Sequence, residues 1–210
     1  MLLLVPLLST ALCPPCFPAR PVHGGELSTA RFLGLLKGAH FAEPKFNGWR
    51  AWLHLPTGRL WNRHGAELSI AADFRAAYDS IRFTDTEAEW LDVEGLQRRH
   101  GRLRGSLIVL DALLPGPYTE RRAVLAAAFE PFDPALDPED REIVRLTPSY
   151  AGADDEKIFA WLQTENARLC CTGAQSFYEG LVLKTSAGLY PRQNGSAKRE
   201  FPGWKKFRFV

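Results

Sequence analysis

The sequence predicts an α+β domain built mainly from antiparallel strands with a few flanking helices. Its 210 residues are 46% hydrophobic and 24% charged, which is enough apolar surface for one substantial core and a composition typical of globular proteins. Short apolar stretches separated by turn residues predict strands, whereas only four segments show the apolar spacing of a helix. Runs of strands with few helices between them are typical of the α+β class.

Residues 1–24 are predicted to be a leader or an early strand packed on a domain that spans residues 25–210. Residues 1–13 resemble the apolar part of a signal peptide, but no basic residue precedes them and Cys13-Pro-Pro-Cys16 is a poor cleavage context. The stretch is also too short to span a bilayer. We therefore expect a cytoplasmic protein without a membrane partner, whose four cysteines are reduced thiols.

The other elements follow from apolar spacing and turn residues. Pro56-Thr57-Gly58 separates two apolar stretches and predicts a hairpin. Strands are predicted over 49–55, 59–63, 90–96, 106–114, 181–185 and 205–210. Helices are predicted over 26–37, 71–81, 119–129 and 154–169. Thr119 is the expected N-cap of the third helix, and the acidic residues that open the fourth suit the helix dipole.

Positive charge is concentrated at the C-terminal end of the sequence. Residues 184–210 contain seven basic side chains and one acidic one, so this part has a charge of about +6. The rest of the chain has about −4, which gives the total net charge of +2. A second basic stretch, residues 97–104, contains four arginines and a histidine. Basic segments of this kind favour a polyanionic partner, bound mainly through its phosphates.

Lys45 stands in a distinctive context, Glu43-Pro-Lys-Phe-Asn-Gly-Trp-Arg50, directly before the strand predicted at 49–55. A lysine followed by a short polar residue, a glycine and an arginine indicates a nucleophilic amine beside a phosphate-binding turn. An ordinary lysine has a pKa of about 10.4, so its amine needs burial or nearby cations to become a nucleophile. The candidate cations are Lys184, Lys206 and Arg208.

Four further segments accompany Lys45 in a fixed order. They are Asn62-Arg-His-Gly65, Asp92-Val-Glu-Gly95, Glu179-Gly-Leu-Val-Leu-Lys184 and Trp204-Lys-Lys-Phe-Arg208. Together the five segments resemble the nucleotidyl-transfer motifs of ATP-dependent DNA and RNA ligases, which belong to the covalent nucleotidyltransferase superfamily. The resemblance implies a nucleotidyltransferase (ATP-grasp-like ligase) adenylation domain.

The resemblance also implies roles for individual residues. Lys45 would attack the α-phosphorus of ATP to form lysyl-AMP, and AMP would then pass to a 5′-phosphate end before the strand is sealed. The carboxylates of Glu94 and Glu179 would hold Mg²⁺ or Mn²⁺, which prefer oxygen ligands. The implied nucleotide-binding residues are Glu43 (adenine), Gly48 (backbone approach), Arg50 (ribose or end phosphate), Arg63 and Glu94 (ribose), and Lys184, Lys206 and Arg208 (phosphates).

Three residues depart from the usual family pattern. Asn47 occupies a position that is aspartate in many DNA ligases and asparagine in some RNA ligases. Arg208 replaces a lysine and keeps the charge. Leu110 stands where a phenylalanine often stacks on adenine. The Glu-Pro-Lys and Glu-Gly-Leu-Val-Leu-Lys forms favour DNA slightly over RNA as the substrate, whereas Asn47 favours RNA.

Relatives usually carry an oligonucleotide-binding (OB) barrel after the last motif, and none is expected in this chain because the sequence ends two residues beyond Arg208. The resemblance then implies either weak self-adenylylation or a partner chain that supplies the function of the barrel. The favoured hypothesis is a monomeric polynucleotide ligase or adenylyltransferase acting on nicked or broken strands. An RNA ligase and a non-catalytic module that binds nucleotides or nucleic-acid ends are the alternatives, and a GTP-using capping enzyme is disfavoured.

Overall fold

The computed structural model describes residues 12–16, 18, 20–23, 39–96, 103–133, 142–151, 155–169, 176–192 and 200–209. Within these residues the chain forms two five-stranded sheets and three α-helices, which confirms the predicted α+β class. The helix predicted over 26–37, the basic residues 97–102 and the adjacent cysteines 170 and 171 lie outside the described residues.

The strands and helices follow one another along the chain in a mixed order. They are β1 (Arg20–His23), β2 (His40–Phe46), β3 (Trp49–His54), β4 (Arg59–Asn62), a 3-10 helix (Ser69–Phe74), α1 (Arg75–Ile81), β5 (Trp90–Gly95), β6 (Leu107–Ala112), α2 (Tyr118–Ala128), β7 (Val144–Leu146), β8 (Tyr150–Ala151), α3 (Asp155–Leu169), β9 (Tyr178–Thr185) and β10 (Glu200–Arg208).

The two sheets have separate strand orders. The first sheet runs β1-β10-β9-β2-β8, and the second runs β4-β3-β5-β6-β7. All neighbouring pairs are antiparallel except β1 with β10 and β6 with β7. Since β2 and β3 follow each other in the chain but belong to different sheets, the short segment at Asn47 and Gly48 carries the chain from one sheet to the other.

Apolar side chains fill three clusters. The first packs α1 and α2 on the second sheet, for example Tyr78 and Leu125 against Leu91. The second includes Leu162 of α3 together with Leu181 of the first sheet. The third joins the sheets through large aromatic side chains, namely Trp52, Trp61, Trp90, Tyr190 and Trp204.

Several sequence predictions need correction. Lys45 does not merely precede a strand, because it lies inside β2, which the sequence did not predict. Strands β7 and β8 were missed as well, whereas β1 lies within residues 1–24, for which a leader or an early strand was predicted. Thr119 does not cap its helix, since the helix begins at Tyr118 after Pro117. The segment predicted as a helix over 71–81 becomes α-helical only at Arg75. The hairpin around Pro56-Thr57-Gly58 is confirmed.

Within the described part of the chain, the search for membrane spans finds no helix with the length and apolar character needed to cross a bilayer.

Candidate active site

The cleft between the two sheets contains a cavity to which both sheets contribute. Most of its lining residues come from strands that carry the sequence motifs. They are Pro21, Glu43, Pro44, Lys45, Phe46, Arg50, Glu94, Leu110, Val182, Lys184 and Trp204. The fold therefore brings Glu43, Lys45, Arg50, Glu94 and Lys184 to one place, although they are far apart in sequence.

Lys45 is the penultimate residue of β2, and its side chain is 21% exposed. Its ammonium group is in contact with the Glu179 carboxylate, which also pairs with Nη2 of Arg208 at 3.4 Å. The backbone partner of Lys45 is Gly180, whose φ is 141°. A Cβ there would lie 1.8 Å from the carbonyl oxygen of Phe207, so glycine is required for β10 to approach β9 beside Lys45.

Lys184 lies at the closed end of the cavity, and its side chain is only 2% exposed. Its Nζ donates to the Leu110 carbonyl oxygen at 2.8 Å and is paired with the carboxylates of Glu43 at 2.8 Å and Asp111 at 3.5 Å. It also lies 4.4 Å from the centre of the Trp204 ring. Such a cation is held in one position before any ligand arrives.

The counterions of Lys184 are themselves fixed by other side chains. Tyr118 donates its hydroxyl hydrogen to Glu43 at 2.5 Å. Arg121, which is 1% exposed, donates from Nε and Nη2 to the two Asp111 oxygens at 2.9 and 3.1 Å. Burial acts to raise the pKa of Asp111, but the charges and hydrogen bonds of Lys184 and Arg121 outweigh it and lower that pKa.

Glu94 and Gly48 connect the segment between the sheets to β5. The Gly48 amide donates to Oε1 of Glu94 at 2.8 Å. A Cβ on Gly48 would lie 2.5 Å from the Gly95 carbonyl oxygen. Any larger residue at this position would therefore clash with the backbone of β5. Burial raises the pKa of Glu94 to about 7, against the opposing charges of Lys45 and Arg50.

Arg50 is held by a second buried acid. Its Nε donates to Oδ1 of Asp92 at 2.9 Å and its Nη2 to Oδ2 at 2.5 Å. Tyr190 also donates to Oδ2 of Asp92, at 2.7 Å, and the ring of Tyr190 packs against Trp52 and Trp204. Asp92 is completely buried, so this fork fixes the direction in which Arg50 reaches the cavity.

Asn47 has a structural role in this fold. Its side-chain amide nitrogen donates to the Ser176 carbonyl oxygen at 2.9 Å, and its backbone amide donates to the Phe177 carbonyl oxygen at 3.1 Å. An aspartate cannot donate the first of these hydrogen bonds. The asparagine is therefore explained by the anchoring of this turn to the start of β9.

Three of the predicted phosphate- or ribose-binding residues are described by the structure but are not among the residues that line the cavity. Lys206 is half-buried on β10, where burial and then the charge of Arg20 lower its pKa. Arg208 is exposed beside Glu179. Arg63 is exposed in the turn after β4, where its Nε lies 3.2 Å from Nε2 of His64.

Sequence reasoning missed several residues that hold the site together. Tyr118, Arg121 and Tyr190 support Glu43, Asp111 and Asp92, but they lie in segments without a motif. Asp111 was visible as an acid at the end of an apolar strand, beside Leu110. The other residues could not be identified from local sequence. Only the tertiary fold pairs Asp92 with Asp111 across β5 and β6, which brings the two buried acids side by side.

The acidic residues of the site fit a metal that arrives with phosphate. Glu94 and Glu179 both act on Lys45, one through its charge and the other by direct contact. In the described part of the chain, no group of three or more His, Cys, Asp or Glu side chains could hold a metal ion. Mg²⁺ is commonly bound by one or two carboxylates, water and substrate phosphates, so this pair of carboxylates fits such an ion.

Neither a protein-family model nor a curated protein sequence matches the chain. Solved structures do match. The ligase domain of LigD from M. tuberculosis has a TM-score of 0.58 and 18% identity, over 92% of this chain and 59% of that one. The Chlorella virus DNA ligase-adenylate has a TM-score of 0.54 and 11% identity, over 93% and 68%. A Lig E DNA ligase has a TM-score of 0.53 and 12% identity, over 94% and 70%.

These similarities show that the chain has the fold of a ligase nucleotidyltransferase domain. The chain spans 59% of the LigD ligase domain and 60% of a mycobacterial DNA ligase D complexed with ATP and MES. It thus corresponds to a part of those longer proteins, and at this level of identity the likeness concerns the fold.

Proposed function

We propose that this chain is the nucleotidyltransferase domain of an ATP-dependent polynucleotide ligase, with Lys45 as the residue that accepts AMP. The observation that carries the proposal is the convergence of Lys45, Glu94 and Lys184, from three separate strands, on one cavity. A core that needed only packing would not place two lysines and a buried acid around a common space, because each buried charge is costly. A phosphate ligand explains the arrangement.

In the first step the lone pair of Lys45 Nζ attacks the α-phosphorus of ATP. A nitrogen–phosphorus bond forms, the bond from that phosphorus to the oxygen bridging the β-phosphorus breaks, and pyrophosphate leaves with the electron pair. Glu179 contacts Nζ and is placed to take the proton that the amine loses. Lys184 and Arg50 line the same cavity and would hold phosphate oxygens there.

In the second step a 5′-phosphate oxygen of a nucleic-acid end attacks the same phosphorus, and the nitrogen–phosphorus bond breaks to restore Lys45. Attack by a 3′-hydroxyl on the end phosphate then forms the strand linkage and releases AMP. A Mg²⁺ or Mn²⁺ ion held by Glu94 and Glu179 would neutralise phosphate charge during these steps. Oε1 of Glu43 accepts from Tyr118, and Oε2 is paired with Lys184. A contact with the adenine amino group would therefore use a remaining lone pair of one of these oxygens.

The proposed substrate is a nicked or broken strand, with DNA slightly favoured over RNA. The motif forms around Lys45 and Glu179 support DNA, and so do the names of the structurally similar proteins. The argument for RNA weakens because Asn47 is explained by its bond to Ser176. The reaction consumes ATP, which fits a cytoplasmic protein.

The first experiment incubates the protein with α-labelled ATP and Mg²⁺ or Mn²⁺ and looks for acid-labile, base-resistant label. We expect label on the wild type and none on Lys45→Ala. Lys157→Ala, which alters an exposed lysine on α3, is the matched control and should keep the label. Label that persists in Lys45→Ala would refute the assignment of the nucleophile.

A second experiment separates the alternatives. Pre-adenylylated nicked DNA and nicked RNA bypass the first step, so sealing of one and not the other identifies the substrate. ATP binding without label under either metal, together with failure to seal both substrates, would favour the non-catalytic binding module.

A further inference from the structure

A second cavity lies beside α3, on the side of the first sheet away from the candidate active site. Val182 and Lys184 of β9 line the active-site cavity. The alternate residues Leu181 and Leu183 instead pack in one cluster with Leu162 of α3. Since side chains alternate between the two faces of a strand, α3 covers the opposite face of the sheet. The second cavity has a volume of about 600 Å³ and is lined by Pro131, Phe132, Asp133, Tyr150, Trp161, Glu165 and Arg168.

Aromatic side chains form much of the wall of this second cavity. The rings of Tyr150 and Trp161 meet edge to face, with their centres 6.1 Å apart and an angle of 77° between their planes. Phe132 is buried and stacks on Phe177. Trp161 is 36% exposed and Tyr150 is half-buried, so ring surface of both remains accessible to a ligand. Such rings attract a flat or positively charged group.

The charged side chains of the second cavity are two acids and one base. Glu165 and Arg168 follow Trp161 by four and seven residues on α3, so the three share one face of the helix. Arg168 donates from Nε and Nη2 to Oε2 of Glu165, at 2.8 and 2.7 Å. Asp133 contributes the second carboxylate, and the lining therefore has a net charge of −1. This balance favours a cation over a phosphate.

A buried hydroxyl lies behind the lining residues. Tyr178 is 0% exposed, and its hydroxyl has no hydrogen-bond partner among the described residues. Besides burial, which raises the pKa of this hydroxyl, the groups that act on it are Tyr150, Glu165, Arg168 and Asp133. All four line the second cavity, so the hydroxyl points toward it from the interior. A buried hydroxyl usually has a partner, and an N–H group of a ligand would supply one here.

We propose that this second cavity binds the guanidinium group of an arginine presented by a partner protein. A guanidinium is planar and always charged, so it can stack on Trp161 while its N–H groups face the carboxylates of Asp133 and Glu165. Tryptophan, tyrosine and arginine are also the side chains that contribute most at the centres of protein interfaces. None of the residues that line this cavity belongs to the candidate active site, so arginine binding here does not depend on nucleotidyl transfer.

The test is an NMR titration that follows the backbone amide signals of α3. Two blocked glycine–serine hexapeptides are compared, one with a single arginine and one with citrulline, which keeps the shape of arginine and has no charge. We expect the arginine peptide to shift the α3 signals and the citrulline peptide to bind about fivefold more weakly or less. Added salt should weaken the arginine peptide, because the cavity is open to solvent.

Three substitutions should each weaken binding of the arginine peptide. Trp161→Ala removes the ring on which the guanidinium stacks, and we expect a loss of about fivefold. Asp133→Asn keeps the shape of an exposed carboxylate and removes its charge, for a loss of about threefold. Tyr178→Phe removes only the buried hydroxyl, also for a loss of about threefold. Trp49→Ala and Asp85→Asn alter an exposed tryptophan and an exposed aspartate elsewhere, and these matched controls should leave the affinity unchanged.

The arginine site would be overturned if the citrulline peptide bound as tightly as the arginine peptide, or if Trp161→Ala had no more effect than Trp49→Ala. Spermidine is the third ligand, because it has positive charge but neither a planar group nor a peptide backbone. Weaker binding of spermidine than of the arginine peptide would support the assignment. Tighter binding of spermidine, lost in Trp161→Ala, would overturn the assignment to a partner protein.

Discussion

The two ends of the cavity use the same kinds of charges in opposite ways. At the closed end, Lys184 and Glu43 have side chains that are 2% and 3% exposed, and Asp111 is equally buried. At the open end, the side chains of Lys45, Glu179 and Arg208 are 21%, 27% and 56% exposed. Both ends contain a lysine paired with a glutamate, but only one pair is shielded from water.

This difference separates what the fold needs from what a ligand can use. A buried charge that loses its partner is strongly destabilising, whereas an exposed ion pair contributes little to stability. The closed end is therefore a fixed framework, and the open end has charges that could exchange their protein partners for the phosphate and metal of the proposed function. Four variants or conditions test this comparison, in order of decreasing effect on the free energy of unfolding.

The largest effect is expected for Arg121→Ala. Removal of this guanidinium leaves Asp111 without its two-pronged partner and opens a space beneath Tyr190. We expect a loss of about 3–5 kcal/mol in the free energy of unfolding, measured by urea denaturation. Arg75→Ala, which breaks an exposed arginine–aspartate pair on α1, should cost less than about 1 kcal/mol. Equal losses in the two variants would contradict the division into closed and open ends.

Acid should weaken the closed end next. Asp111 has a lowered pKa in the folded protein, so its contribution is complete above the ordinary aspartate pKa of about 3.9 and is lost as the pH falls through the lower folded value. Urea denaturation below pH 4 should show the decline, and NMR titration of the Asp111 carboxyl should show protonation below a pH of about 3.9. An unshifted titration would refute the account of the closed end.

Tyr118→Phe should have an intermediate effect. It removes the hydroxyl that donates to Glu43 at 2.5 Å and lies 2.8 Å from Oγ of Ser149. Because the acceptor is a buried carboxylate, we expect a loss of about 1–3 kcal/mol by urea denaturation. Tyr178→Phe is the matched control, since its buried hydroxyl has no hydrogen-bond partner among the described residues, and it should be neutral or stabilising. A loss in the control as large as that in Tyr118→Phe would argue against the hydrogen bond as the cause.

The smallest effect on stability is expected for Glu179→Gln at the open end. It removes the charge that Lys45 and Arg208 share, and we expect a change within about 1 kcal/mol. Formation of lysyl-AMP should nevertheless fall by about 100-fold or more, because the proposed function makes this carboxylate the base and a metal ligand. A fall in stability as large as that of Arg121→Ala would show that the open end is part of the framework too.

The sequence predicted the fold class and much of the site for identifiable reasons. The hairpin at Pro56-Thr57-Gly58 and the strands around Asp92 and Leu110 were predictable from local turn residues and apolar runs. β2 was missed because Pro44 and two charged residues interrupt its apolar pattern, and β7 and β8 were missed because they have only three and two residues. Such strands depend on neighbours for their hydrogen bonds, which a local pattern does not contain.

The sequence alone, through the order of its motifs, predicted which residues could do chemistry. They are Lys45, Glu94, Glu179 and Lys184. Which of those charges are fixed and which are free to exchange depends on the tertiary fold alone. Pairing of β2, β9 and β10, with β5 and β6 facing them, buries Lys184 between two acids and leaves Lys45 at the opening. Exposure and partner set the energy of a charge, and both arise from strands that are distant in the chain.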